Sequence, residues 1–469
     1  MRTIQVERLA ELNEQAVRGG RYVLYWMQQA QRTVCNHALE YAAQQANALG
    51  LPVVVGFGLT DGYPEANARH YRFMLEGLQQ VAGTLERRGI AFVLRKGDPA
   101  DVAIELGHDA AMIVCDRGYL RVQKQWRDRV ADEAGRRVVQ VESDVVVPVE
   151  VASDKAEYAA RTIRPRLRRQ LEKYLVKLEP TPVKRDALGL KLDGVSLGDL
   201  DGLLDSLDVD RSVPPVSQHF QGGEAAARAR LGAFLDERFG DYAAHRNRPE
   251  TNDVSHMSKY LHFGQISPVQ LALRVLERGE EARDENVASF IEELIVRREL
   301  AMNFVNYTPG YDSYACLPRW AQQTLKKHRG DEREHVYTRK QLEAGATHDA
   351  YWNAAMKEMR ETGYMHNYMR MYWGKKILQW SNTPEHAYRV ALALNNRWFL
   401  DGRDANSFAN VAWVFGLHDR PWAERPVFGT VRYMAATGLE RKCDIQGYVR
   451  KVEALGGDDG AGLTSIDGA

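Results

Sequence analysis

The feature that constrains this chain most is a change of hydrophobic period near residue 150. Before it, short apolar runs alternate with amphipathic stretches. Tyr22–Trp26, Pro52–Phe57, Ala91–Leu94, Ala111–Cys115 and Arg137–Val141 read as buried strands, with helices expected at 36–48, 66–88 and 120–134. Strands separated by helices of that length form βαβ units and a parallel, doubly wound sheet. The expected fold class is thus α/β over residues 1–150, Rossmann-like, with ligands beyond the carboxyl ends of the strands.

From about residue 220 the strand signal disappears. Helical spacing of apolar residues dominates 223–240, 267–279, 287–305, 350–361, 364–380 and 385–396, so an all-α domain is expected at 220–455. Residues 151–219 read as an interdomain linker. Its first part, 151–185, holds ten Lys/Arg against four Asp/Glu, and its second part is acidic, rich in turn residues, and ends at Pro214-Pro215. The basic part fits a solvated helix face or a surface turned to nucleic acid equally well. Residues 456–469 read as a flexible tail, and no internal repeat is visible.

Composition narrows the function classes. Lys plus Arg and Asp plus Glu both total 63, so no global positive field announces nucleic acid, and local charge must carry any such argument. The four cysteines (Cys35, Cys115, Cys316, Cys443) form no paired motif, which fits a reducing cytoplasm and argues against a disulfide framework or a metal site. The amino terminus lacks a signal-peptide core, and no apolar run is long enough to span a membrane. The protein is expected to be cytoplasmic, nucleoid-associated in a bacterium, and monomeric. No Walker loop, zincin motif or nucleophile elbow is present, and Gly56-Phe-Gly58-Leu-Thr-Asp-Gly62 misplaces the third glycine of a dinucleotide fingerprint.

The chemistry must therefore lie in the helical half. In the segment from Phe290 to Phe304, Glu293 and Arg297 stand four apart on an apolar-faced helix and would form an ordinary surface pair. Between Gly363 and Trp380, the residues His366, Arg370, Trp373, Ile377 and Trp380 recur at spacings of four, three, four and three. That puts a histidine, a fixed cation and two indoles on one helix face, with Trp352 one helix upstream. A tryptophan stripe usually packs a core, but a buried arginine among indoles needs an anionic partner. The runs Leu394–Asn406 and Val411–Arg425 crowd carboxylates, amides, guanidinium groups and indoles together. Such a set suits a planar, polar-edged ligand and a nucleic acid, or a polar loop network that stitches helices.

Taken together these segments resemble the class II cyclobutane pyrimidine dimer photolyases of the photolyase and cryptochrome family. F-x-E-E-L-I-V-R-R-E-L-x-x-N-F from Phe290 and G-x-H-D-R-x-W-x-E-R-x-x-F-G-x-x-R-Y-M from Gly416 are similar to that subfamily's signatures, and Tyr260–Ser267 to a segment of the wider family. The likeness runs from about Tyr22 to Tyr448. It implies light-dependent repair of cyclobutane dimers in ultraviolet-damaged DNA, by an electron from excited, fully reduced anionic FAD. A deazaflavin or folate antenna in the first domain is a further expectation, weakened because Gln29 and Ala30 stand where relatives carry charge. Thr430 and Ala435 likewise replace a typical Lys and Asn.

Residue by residue, the resemblance matches Tyr242, Val254, Ser255, His256, Met257 and Ser258 to flavin phosphate and ribityl contacts. Arg370 matches the arginine against the flavin ring, Asp401 the acid at its polar edge, and Asn395 the residue facing the nitrogen that gains a proton. Trp352, Trp373 and Trp380 match electron-transfer tryptophans. Glu293, Met371 and Trp413 match dimer contacts, and Asp419 and Arg420 a pair near the lesion. Arg246, Asn247 and Arg297 are expected on the DNA side, with Arg425 as a further phosphate contact. Glu293 would steady the dimer's developing charge by hydrogen donation, which requires a protonated or shared-proton carboxyl of the kind burial favours. The chief alternative is a cryptochrome-like light sensor, against which stand Glu293, Trp413 and the short tail. Repair of the six-four photoproduct calls for paired histidines, and His256 and His366 both fit the cyclobutane pattern instead. A helical nucleic-acid-binding protein without cofactor leaves the tryptophans and Arg370/Asp401 unexplained.

Overall fold

The structure, a computed structural model, describes residues 4–279 and 284–456. The expected tail lies, apart from Gly456, outside the described residues. Six strands form one sheet in the order β1-β6-β5-β2-β3-β4. They are β1 (Leu9–Glu11), β2 (Tyr22–Trp26), β3 (Val53–Leu59), β4 (Ala91–Lys96), β5 (Ala110–Asp116) and β6 (Val138–Val141). All pairings are parallel except β1 with β6, where Leu9 faces Val141. Every residue of β2, β3, β5 and β6 is buried, which explains why these strands read as unbroken apolar runs rather than alternating ones.

Four helices cover the sheet: α1 (His37–Leu49), α2 (Ala68–Arg87), α3 (Pro99–Gly107) and α4 (Arg121–Glu133). Residues such as Val23, Tyr25 and Val55 pack one face of the sheet, while Leu24, Val54 and Ile113 pack the other. The paired glycines of β3 serve packing. A Cβ on Gly58 would lie 2.6 Å from Pro99 Cα, and one on Gly56 would lie 2.7 Å from Leu106, so α3 can approach β3 only because both are glycine.

The chain runs β2, β3, β4 outward along the sheet and then returns to place β5 on the other side of β2. The crevice between β2 and β5 is therefore the topological switch point. Asp116, at the end of β5, fixes the loop there. Its carboxylate accepts from the backbone amides of Gln28, Gln29 and Ala30, each at 2.9 Å, and from Tyr25 Oη at 2.9 Å.

The stretch 151–219 folds back across both halves. Ile163, Leu167 and Tyr174 are buried with the helical core, whereas Leu203, Leu204, Leu207 and Val209 close one side of the sheet. Helices then continue to Glu453. Direct bonds knit the helical half to the sheet layer. Arg69 of α2 donates to the carbonyls of Pro214, Met359, Arg360 and Trp398, and Arg32 reaches Gly264 O. Among the described residues, no helix is long and apolar enough to cross a membrane, and no cluster of ligating side chains could hold a metal ion.

Candidate active site

A cleft opens in the helical half, lined by Tyr242, Arg246, the loop Val254–Ser258, Glu293, Arg370, Asp401 and neighbours. Its back wall is built by two elements that sequence spacing could not connect. Arg370 lies on the helix Asn367–Trp380, and Asp401 in the turn after the helix Pro384–Trp398. They meet in a bidentate pair, Nη1 to Oδ1 at 2.9 Å and Nη2 to Oδ2 at 3.0 Å. Arg370 Nε donates to Met365 O, and its guanidinium lies 3.9 Å from the centre of the Phe399 ring. Burial pushes the Asp401 carboxyl up, but the Arg370 charge and bonds from Arg370 and Ser258 outweigh it and hold the group below its usual range.

The anionic partner expected for the arginine among the indoles is thus within the chain. Asp404, three residues on, also borders the cleft. Against burial, His262 at 3.8 Å holds its carboxyl down to about 2. The loop Val254–Ser258 wraps one side, with His256 in a left-handed conformation at φ 55°. Its Nε2 is bonded to Asn252 at 2.7 Å, and burial keeps the imidazole neutral by pushing its pKa well down. Lys451, on the helix Ile445–Glu453, donates to the carbonyls of Pro249 and Thr251 and so anchors the segment leading into that loop.

From the back wall an aromatic path leads outward. Phe399 meets Trp373 with ring centres 6.2 Å apart. Trp352 Nε1 donates to Trp373 O at 3.0 Å, and the Trp352 and Trp380 rings lie 5.7 Å apart at 69°. All three tryptophans are buried, and Trp380 ends against Tyr337 and the exposed His348. His366 caps its helix, with Nδ1 accepting from Tyr368 N, and burial lowers its pKa to about 3.

The rim differs from the expected arrangement. Residues Glu292–Arg297 form a π-helical turn between the α-helices Glu285–Ile291 and Arg298–Tyr307. The wider turn breaks the four-residue spacing, so the Glu293–Arg297 pair does not form. Arg297 instead reaches Glu292, five residues back, at 3.3 Å. Glu293 accepts from Arg246 Nη2 at 2.6 Å, while Arg246 Nη1 donates to Ser289 Oγ. The Glu293 side chain is 37% exposed and paired with Arg246, so the burial expected to favour a protonated or shared-proton carboxyl is absent.

Other expected residues lie around this cleft rather than in its wall. Asn395 is buried with Nδ2 on Asn396 Oδ1, and neither it, Met371 nor Trp413 lines the cleft. Asn247 is exposed beside Arg246. Asp419 pairs with Arg432 at 3.3 Å and accepts from Trp422 Nε1, and Arg420 lies over the Trp422 ring. Arg425 is exposed, with its guanidinium 5.2 Å from the Tyr433 ring. Arg432 was not singled out in the sequence. Its guanidinium stands 4.3 Å from the Trp422 ring and 5.5 Å from that of Trp413, and so joins the two indoles. The only signal for it was its place in the quoted Gly416 segment.

A second cavity occupies the switch-point crevice of the sheet. It is lined by Trp26–Gln29, Phe57–Thr60, Tyr63, Trp126 and, from the helical half, His262 and Arg403. Its surface is largely aromatic and apolar, yet Trp26 Nε1 and Arg403 Nε and Nη2 are buried there without partners.

The DNA photolyase family model matches residues 23–185. The deoxyribodipyrimidine photo-lyase of Methanothermobacter thermautotrophicus is 49% identical over 453 residues, 96% of this chain and 99% of that protein. The enzyme of the same name from Potorous tridactylus is 40% identical, covering 92% of this chain and 81% of its own. Among solved structures, a class III photolyase from Agrobacterium tumefaciens superposes with a TM-score of 0.74 at 19% identity, over 92% of this chain and 86% of that one. With 49% and 40% identity to these two photo-lyases over 96% and 92% of its length, the chain belongs to the DNA photolyase family.

Proposed function

We propose that the protein splits cyclobutane pyrimidine dimers in ultraviolet-damaged DNA in a light-driven reaction, with FAD held in the helical cleft. The observation that carries this reading is the junction at the back wall. The Arg370–Asp401 pair, its carboxylate buried and its guanidinium partly so, stands at the cleft on one side and at the aromatic path Phe399, Trp373, Trp352, Trp380 on the other. The lining fits a dinucleotide: hydroxyls and amides of Val254–Ser258 at one end, an apolar floor of Leu261 and Leu294, and a charged, planar partner at the other.

Bound reduced flavin would supply the electron that opens the dimer, which is chemistry a protein without hydrolytic motifs leaves to its cofactor. The residues bind, orient and insulate. Ser255, Ser258 and the adjoining backbone would hold the pyrophosphate, and Arg370 would lie against the ring system with its direction set by Asp401. The neutral His256 adds no further positive charge to a lining that already holds Arg246, Arg298 and Arg370. Trp373, Trp352 and Trp380, sealed from water, would carry replacement electrons inward. On the rim, Arg246 and Glu293 present a donor and an acceptor to the imide edge of a flipped dimer, and Trp413 with Arg432 an aromatic and cationic platform. Flipping costs least at a damaged, poorly stacked step, which itself selects the lesion. The enzyme would act as a monomer in the cytoplasm, near the nucleoid in a bacterium.

The sheet cavity supports a second pigment site. Unpartnered donors in an aromatic pocket suit a planar chromophore with acceptor edges, a description that a deazaflavin and a folate both meet. Absorbance of the purified protein tests the repair reading. A flavin spectrum that bleaches under blue light with reductant, with loss of dimers from an added oligonucleotide, is expected. Photoreduction without dimer loss would instead favour a cryptochrome-like sensor. Failure to take up flavin after reconstitution would overturn the cofactor assignment.

A further inference from the structure

The helix Ala160–Arg168 belongs to the basic stretch whose role the sequence left open. It buries Ala160, Ile163 and Leu167 and exposes Arg161, Pro165 and Arg168, with Arg169 exposed just after it. Both ends of its packing fall on elements of the lesion-facing rim. Just before it, Tyr158 Oη donates to Asp419 O at 3.2 Å, and Tyr158 O lies 2.8 Å from His418 Nδ1. In its middle, Arg164 makes two bonds to Glu292, at 2.9 and 2.7 Å, on the π turn that carries Glu293. The helix is therefore fixed between the loop of Asp419 and Arg420 and the turn of Glu293.

The charge on its outer stripe has no counter-charge. Arg164 and Arg166 have carboxylate partners, but among the described residues Arg161, Arg168 and Arg169 have none within ion-pairing distance. Arg161 lies 6.0 Å from the ring of Tyr158, which is itself exposed. Arg161 and Arg168 are seven residues apart, about 10 Å along the helix, which matches about three base steps at ~3.4 Å each along a duplex axis. In a chain whose formal net charge is zero, such an uncompensated stripe is a local positive field rather than part of a general one.

We propose that this helix is a second phosphate-binding wall, which takes the sugar–phosphate backbone of duplex DNA alongside the flipped dimer. The inference rests on the repair reading of the rim. Guanidinium groups that contact phosphates set position without reading bases, so the wall would strengthen damaged and undamaged duplex equally. It would add nothing for a ligand too short to leave the cleft.

The test is the salt dependence of binding by the flavin-loaded, full-length protein. The variants are Arg161→Gln/Arg168→Gln, the conservative Arg161→Lys/Arg168→Lys, and the charge-matched control Lys184→Gln/Arg185→Gln at exposed positions elsewhere. The ligands are a dimer-containing duplex, the same duplex undamaged, and a dimer-containing dinucleotide. For the glutamine variant, the slope of log affinity against log salt on both duplexes should shrink by about 2, roughly one unit per lost phosphate contact. The lysine variant should restore it, and the control should match wild type. A wild-type slope in the glutamine variant, or an equal loss of affinity on the dinucleotide, overturns the wall. Wild-type protein with no preference for the damaged duplex overturns the repair reading instead, and the undamaged duplex then still reports on the helix.

Discussion

Arg370 and Asp401 stand 31 positions apart in sequence and meet in a two-point salt bridge at the back of the cleft. Asp401→Asn leaves the Arg370 guanidinium short of its counter-charge in a largely buried site, and should cost about 2–4 kcal/mol in urea unfolding at pH 7. Because the folded-state pKa of Asp401 is depressed, its contribution is present above the unfolded carboxylate value of about 4 and is lost as pH falls through the folded value. The wild-type minus variant difference should therefore shrink on acidification. A difference that stays constant down to strongly acidic pH would contradict the assignment.

Trp352 is sealed between Trp373 and Trp380. Replacement by Phe should cost about 1–3 kcal/mol of stability. It should abolish light-driven reduction of oxidised flavin, yet leave repair by chemically pre-reduced enzyme intact. Transient absorbance and a dimer-repair assay separate the two. Equal loss in both would mean that the indole supports the fold or the cleft rather than electron supply.

Removing Arg246 strips Glu293 of its partner and frees the Ser289 hydroxyl. Arg246→Ala should weaken binding of dimer-containing DNA by about 1–3 kcal/mol, which is up to about a hundredfold in Kd. Flavin content should stay unchanged. Glu293→Gln, which keeps an acceptor for Arg246, should bind more tightly than Arg246→Ala. Fluorescence anisotropy on damaged and undamaged duplexes gives both numbers.

Lys375 is fully buried behind Trp413, with Nζ on Val414 O, and burial lowers its pKa to about 7. The unfolded chain binds this proton up to about pH 10.4, so between pH 7 and 10 the unfolded state holds more protons and stability rises with pH. Lys375→Met should remove that rise. Unfolding free energies across the interval, taken as wild type minus variant, should slope upward with pH, and a flat difference would contradict the buried amine.

The strands were legible because burial on both faces turns them into short apolar runs, and Tyr22–Trp26 appears within its expected bounds. The edge strand Leu9–Glu11 was not, since three residues with mixed polarity carry no period and pair only through β6. Helix α3 was missed although Asp98 caps it and Pro99 opens it, a start signal that the sequence does display. The tryptophan stripe was visible as spacing. Its continuation through Phe399 was not, because that contact crosses from one helix to the end of another. The Arg432 contacts depend on a loop in which His418 and Val427 take left-handed conformations, and nothing in residue type announces those angles.

The π turn at Glu292–Arg297 amounts to one residue more than an α-helix of the same span needs. Its effect is to set the angular phase between the helix Glu285–Ile291 and the helix Arg298–Tyr307. Deleting a single residue there should let the two flanking helices fuse into one regular rod, at little cost in helix content. Every side chain upstream would then rotate by about 100° relative to those downstream. The deletion should leave a protein that folds and takes up flavin but no longer tells damaged DNA from intact DNA. The ability to recognise a lesion would then hang on the phase of one helix, a property that length variation can erase without altering any residue's identity.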